Sequence, residues 1–199
     1  MLRPHLQAAG FTLFPARPDD RTYFELCAVR APWVVRRHRA EPLWRSQFGR
    51  WLHTLEVEGP DGPVTLFTAH FDSGPEPGTA RVREAQARDV ATRLEARAVF
   101  AGDTNLRDAE WRRVEPALSA RDAWTLAGAP AAHRFTWWGD RHARARFDRA
   151  WVSPDGRVEH FETFGRNPVT GLGRPPSDHA GLRLRVRFGP SPDQRREGA

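Results

Sequence analysis

Val99-Phe100-Ala101-Gly102-Asp103-Thr104-Asn105-Leu106-Arg107-Asp108 is an apolar run that stops at a glycine and turns polar within one residue. That change is how a buried strand delivers polar groups to a loop. Val99, Phe100 and Ala101 suit a core strand, Gly102 permits a sharp exit or a close backbone approach, and Asp103 and Asn105 supply a carboxylate and an amide. On an extended backbone those two side chains share a face and could meet one water or one phosphate together. The same letters also suit an ordinary turn, because Gly, Asp and Asn all favour turns.

Outward from this stretch the chain alternates short β patterns with few helices. Upstream, Thr79 to Ala96 has helical composition, and Val64 to Asp72 reads as a strand that ends at polar residues and places His70 at its end. Val34 to Arg39 and Trp51 to Glu58 continue the β pattern. Phe11 to Phe14 and Tyr23 to Val29 predict a hairpin, with turn chemistry from Pro15 to Arg21. Leu2 to Ala9 reads as the last turns of a helix closed by Gly10, with nothing before it to pack against, so the start of the chain reads as cut.

Downstream, a short helix is expected around Ala109 to Val114, another helical piece within Ser119 to Ala127, and strands at Arg146 to Val152, Val158 to Phe164 and Leu182 to Phe188. Residues 189–199 are polar and expected to be disordered. Many strands with few helices predict one domain, residues 1–188, built as a two-sheet sandwich flanked by helices.

The 199 residues suffice for one core, and every one of the 31 basic residues is arginine. With 25 acids the formal charge is +6, which favours a polyanionic partner, since arginine binds phosphate bidentately. One cysteine, Cys27, excludes an internal disulfide and any multi-cysteine zinc site. No stretch approaches a membrane span, so a cytoplasmic protein without a membrane partner is expected.

Hydrolysis of a phosphodiester needs an activated water, charge stabilisation on the phosphoryl oxygens and usually a divalent ion. His70 and His179 are candidate cationic phosphate contacts. Asp148 interrupts an apolar strand, where burial demands a partner: a histidine, or one of its neighbours Arg146 and Arg149.

Thr68-Ala69-His70-Phe71, Gly102-Asp103-Thr104-Asn105-Leu106-Arg107-Asp108, Phe135-Thr136-Trp137, Arg146-Phe147-Asp148-Arg149 and Ser177-Asp178-His179 follow one another in an order that resembles the endonuclease/exonuclease/phosphatase superfamily. The GDTNLRD, FTW, RFDR and SDH segments together resemble its tyrosyl-DNA phosphodiesterase 2 branch, over about Phe11 to Phe188. The resemblance implies an α+β fold, a four-layered α/β sandwich of two mostly antiparallel sheets flanked by helices. It also implies dependence on Mg²⁺, with Mn²⁺ as a substitute, and a role in DNA repair. The implied partners are DNA ends or protein–DNA adducts, with a 5′-tyrosyl phosphodiester as the bond cleaved.

Carried over by position, Asp103 orients or deprotonates the attacking water and Asn105 holds that water or a phosphate oxygen. His179 contacts the scissile phosphate, Asp148 fixes its imidazole, and His70 is a second phosphate contact. Asp178 helps organise a weak, partial metal site. Trp137 lines the substrate groove, while Arg107 and Arg146 steer DNA. The family also carries an asparagine in a T-W-N strand and a metal-binding glutamate in an L-Q-E strand, and this sequence contains neither motif. Met1 would fall just past the second, which implies an N-terminally truncated domain. Glu25 belongs to a later strand and does not take the glutamate's place. Alternatives are therefore an impaired chain that binds nucleic acid or a protein partner, and a hydrolase of another phosphoester.

Overall fold

The structure, a computed structural model, describes residues 2–15, 25–171 and 173–189. Along the chain these form α1 (Leu2–Ala8), β1 (Phe11–Pro15), β2 (Leu26–Arg30), β3 (Val34–Pro42), β4 (Trp51–Gly59), β5 (Gly62–Ala69), α2 (Pro77–Thr92), β6 (Ala98–Asp103) and α3 (Asp108–Val114). They continue with β7 (Arg121–Asp122), α4 (Ala123–Leu126), β8 (Trp137–Trp138), β9 (Arg144–Ala145), β10 (Asp148–Val152), β11 (Gly156–Phe164) and β12 (Gly181–Phe188). The expected turn from Pro15 to Arg21, all but its first residue, lies outside the described residues, as do the start of the second strand at Tyr23 and the tail from residue 190.

Six strands form one mixed sheet in the order β3-β4-β5-β6-β10-β7. Only β5 and β6 run parallel within it, because α2 carries the chain back across the sheet between them. Alternation then sorts side chains onto two faces. Phe67, Ala69, Phe100 and Trp151 face α2 and α3, packing with Ala87, Val90, Leu94, Trp111 and Val114. Trp151 is stacked against both Phe100 and Trp111, at 4.6 and 5.7 Å between ring centroids. On the opposite face Leu55, Val57, Val64, Ala150 and Val152 meet Phe14, Cys27 and Val29 from one ribbon and Phe161 and Phe188 from another.

The second sheet of the expected sandwich differs from that expectation. Among the described residues it consists of two separate antiparallel ribbons, β1-β2 and β11-β12, with no ladder between them. The first leans on the β3 side, where Phe14 meets His38 and Ala28 and Val29 face Val57 and Leu66. The second leans on β10 and α4. Strands lie about 4.8 Å apart, so two two-stranded ribbons span about four strands of a six-stranded sheet. Leu66, Val99 and Ala101, on the central strands β5 and β6, are accordingly only half-buried.

No helix is long and apolar enough to cross a membrane among the described residues.

Candidate active site

The polar ends of three adjacent strands meet on the ribbon-facing side of the sheet. Asp103 closes β6 and pairs in register with Asp148, the first residue of β10, while His70 follows the last residue of β5. Gly102 is what lets β5 and β6 come this close: a Cβ there would lie 2.2 Å from the Ala69 carbonyl oxygen. Past Asp103 the backbone turns. Asn105 adopts φ +50° and donates its amide N–H to Asp103 Oδ1 at 2.9 Å, so this stretch is a turn that also holds the candidate site's carboxylate. The Asn105 side chain donates to the Phe71 carbonyl at 3.2 Å, which pins the loop to the strand bearing His70.

His179 reaches the cluster from the segment before β12. That segment is stitched to its neighbour by a bridge between Trp137 and His179 and by Trp138 N–H to Asp178 O and Ala180 N–H to Thr136 O, at 3.0 and 2.7 Å. Thr136, fully buried, also accepts the Asp148 amide on its hydroxyl at 2.9 Å. The outcome is a hydrogen bond of 2.7 Å between His179 Nδ1 and Asp148 Oδ2, with His179 Nε2 4.0 Å from Asp103 Oδ2. His70 Nε2 lies 3.3 Å from the same Asp103 oxygen.

Burial and charge push these groups apart in acidity. The Asp103 carboxyl is raised to about 6, first by burial and then by the neighbouring Asp148 charge. His179 is raised above the ordinary histidine value, first by its hydrogen bond to Asp148. His70 moves the other way, down to about 4, first through burial and then through the Arg50 charge. The expectation that His70 is a phosphate-binding cation therefore gives way to a neutral imidazole. Near neutral pH the site holds a base at Asp103, a cation-favouring ring at His179 and a neutral ring at His70.

The remaining sequence candidates lie elsewhere. Asp178 is exposed and accepts the Trp137 indole N–H on Oδ2 at 3.0 Å; it is not part of the carboxylate cluster. Trp137 is half-buried against Phe147, 5.2 Å between centroids. Arg107 precedes α3, and its side chain, 41% exposed, binds back to Glu110 at 3.3 Å. Arg146, expected to steer DNA, is only 7% exposed and donates through Nη1 to both oxygens of Asp122 at 2.9 and 2.8 Å. Arg149 is also buried and faces Asp122, so Asp148 is left to the histidine.

One oxygen from each of Asp103 and Asp148 and one nitrogen of His179 lie within 4.8 Å of one another, a grouping that could hold a metal ion. Mg²⁺ takes oxygen ligands, keeps several waters and is commonly held by one or two carboxylates. The two aspartates fit that demand, whereas His179, with Nδ1 committed to Asp148, does not add an oxygen donor. Asp178, expected at the metal, is replaced in this grouping by Asp148. Sequence reading also passed over Arg50, whose charge acts on both His70 and Asp103, and Thr136. Only Thr136 carried a signal, as the middle residue of the FTW segment.

No family model matches the sequence. The chain is 28% identical to tyrosyl-DNA phosphodiesterase 2 of Gallus gallus, over 90% of its own length and 53% of the relative's. It is 31% identical to the 5′-tyrosyl-DNA phosphodiesterase of Caenorhabditis elegans, over 79% and 47%. The chain thus spans about half the length of the curated relatives it matches. Among solved structures, Danio rerio TDP2 complexed with single-strand DNA product superposes with a TM-score of 0.81 at 26% identity, covering 94% of this chain and 81% of the other. An endonuclease/exonuclease/phosphatase family protein of Bacteroides thetaiotaomicron shares the fold, with a TM-score of 0.72 at 14% identity over 94% of this chain and 79% of that one. The order of the motifs, the strand ends that carry them and these likenesses agree: the chain is similar to the endonuclease/exonuclease/phosphatase superfamily and, within it, to the tyrosyl-DNA phosphodiesterase 2 branch.

Proposed function

We propose that this chain is the catalytic body of a divalent-metal-dependent phosphodiesterase acting on 5′-tyrosyl DNA ends or related protein–DNA adducts, in DNA repair. The observation that carries the reading is the meeting of Asp103, raised to about 6, with His179, raised by Asp148, around one 4.0 Å gap. Asp103 takes the proton of the attacking water, and a base with that acidity is mostly ionised at neutral pH yet still basic enough to accept it. His179, protonated and held by Asp148, places positive charge against the phosphoryl oxygens as negative charge grows there. His70, neutral, can donate a hydrogen bond beside Asp103 without competing for its proton. A tyrosyl leaving group departs as a phenolate of pKa about 10 and needs little help from an acid. Mg²⁺, or Mn²⁺, held at the two aspartates through its waters, which leaves the Asp103 carboxylate able to act as the base, would neutralise charge on the transferred phosphoryl group.

The test is hydrolysis of a 5′-phosphotyrosyl oligonucleotide in Mg²⁺ by the chain carrying Asp103→Asn or His179→Ala. Each is expected to lower turnover by about 10²-fold or more. Turnover equal to the unsubstituted chain in both would place the reaction elsewhere.

A further inference from the structure

We propose that the loop from Leu43 to Arg50 is a base-stacking platform for single-stranded nucleic acid, holding the unpaired nucleotides next to the phosphodiester at His70 and Asp103. The inference rests on the phosphodiesterase reading for its substrate, while the two side chains that carry it, Trp44 and Phe48, are outside the catalytic group of Asp103, Asp148, His70 and His179.

The loop, Leu-Trp-Arg-Ser-Gln-Phe-Gly-Arg, displays two large aromatics to solvent, Trp44 at 41% and Phe48 at 53% exposed. Neither is left to wander. Leu43, buried in the core, donates its amide N–H to the Arg50 carbonyl at 2.8 Å and so closes the loop. Fully buried Asp72 accepts the Ser46 hydroxyl at 2.6 Å and the Gln47 amide at 2.7 Å. The Ser46 oxygen in turn accepts the Arg50 amide at 3.0 Å, and Gln86, also fully buried, donates to the Trp44 carbonyl at 3.3 Å. A loop so clasped has lost its entropy before any ligand arrives, which favours binding by rigid aromatic faces.

Its place and its charge identify the occupant. Asp72 follows His70 by two residues, so the anchor of the loop is the exit of the strand that carries the candidate site. Arg45 lies over the Trp44 ring at 4.5 Å and Arg50 near the Phe48 ring at 5.9 Å, which interleaves cations with aromatic faces. Aromatics for bases and arginines for phosphates are the pairing that binds single strands without regard to sequence, and a chain of net charge +6 suits a polyanion.

Fluorescence anisotropy of a labelled hexathymidylate and of an abasic deoxyribose-phosphate chain of equal length, both in EDTA, tests the platform. The unsubstituted chain is expected to bind the base-bearing strand about tenfold or more tighter than the abasic one. Trp44→Ala with Phe48→Ala should abolish that preference while leaving abasic affinity unchanged, and Trp44→Phe should keep most of it. No preference for bases in the unsubstituted chain, or a preference surviving the double substitution, overturns the proposal. Dimerisation in light scattering that vanishes in the double variant would assign the loop to contact between copies, and also overturns it. A base preference that the unsubstituted chain shows and the double substitution removes, in a protein that never cleaves the phosphotyrosyl substrate, would sustain the platform and defeat the phosphodiesterase reading instead.

Discussion

Asp148 is an acid followed by four buried residues, and what makes it tolerable there is the imidazole of His179 at 2.7 Å. In the proposed reaction the pair would set the alkaline side. Activity should require Asp103 ionised and His179 protonated, so the rate rises with pH through about 6 and falls once pH exceeds the raised value of His179. Asp148→Asn removes the charge that holds the histidine's proton. We expect about 10²- to 10⁴-fold lower turnover and an alkaline limb moved to lower pH, read from kcat/KM profiles. An unmoved limb would separate Asp148 from the titration of His179. A second histidine reports on stability rather than catalysis. His53 is fully buried against His38, its Nε2 lacks a hydrogen-bond partner, and burial first, then His38, lowers its value to about 4. The unfolded chain takes up that proton near 6.5, so stability is full above 6.5 and is lost as pH falls from there towards 4, by up to about 3 kcal/mol. His53→Phe should flatten urea midpoints across pH 7 to 4.5.

Strand ends and their loops show which parts of the site are written locally. Gly102 packs against the Ala69 carbonyl, so Gly102→Ala must push β5 from β6. We expect a loss of about 1–3 kcal/mol in denaturant midpoints together with reduced turnover, because the same shift separates His70 from Asp103. The strand-to-loop change at Gly102, the acid within β10 and the SDH segment were legible because each announces itself within a few residues. His70 was misjudged as a cation because its acidity is set by packing from distant elements, which no local pattern records. The burial of Arg146 was illegible for the same reason: exposure of an arginine depends on what lies across from it, here Asp122, 24 residues away. The aromatic loop stayed unread because Asp72, its anchor, is 26 residues from Ser46.

For the whole molecule, the main sheet was the legible part and the split second layer was not. Strand periodicity tells which face is buried, but not whether neighbouring ribbons join. Here β1-β2 and β11-β12 are fastened to the main sheet by side chains alone, with no ladder between the layers among the described residues. Such attachments open at lower free energy than a hydrogen-bonded sheet does. Amide hydrogen exchange should therefore fall into two tiers, with β5, β6 and β10 exchanging only on global unfolding and both ribbons exchanging earlier. Equal protection across all strands would show that the layers melt as one. His179 stands two residues before β12. When that ribbon lifts, the Trp137–His179 bridge and the Ala180 N–H to Thr136 O bond are what keep the imidazole at Asp148, so under the proposed function any activity lost on warming before global unfolding should mark the failure of those bonds.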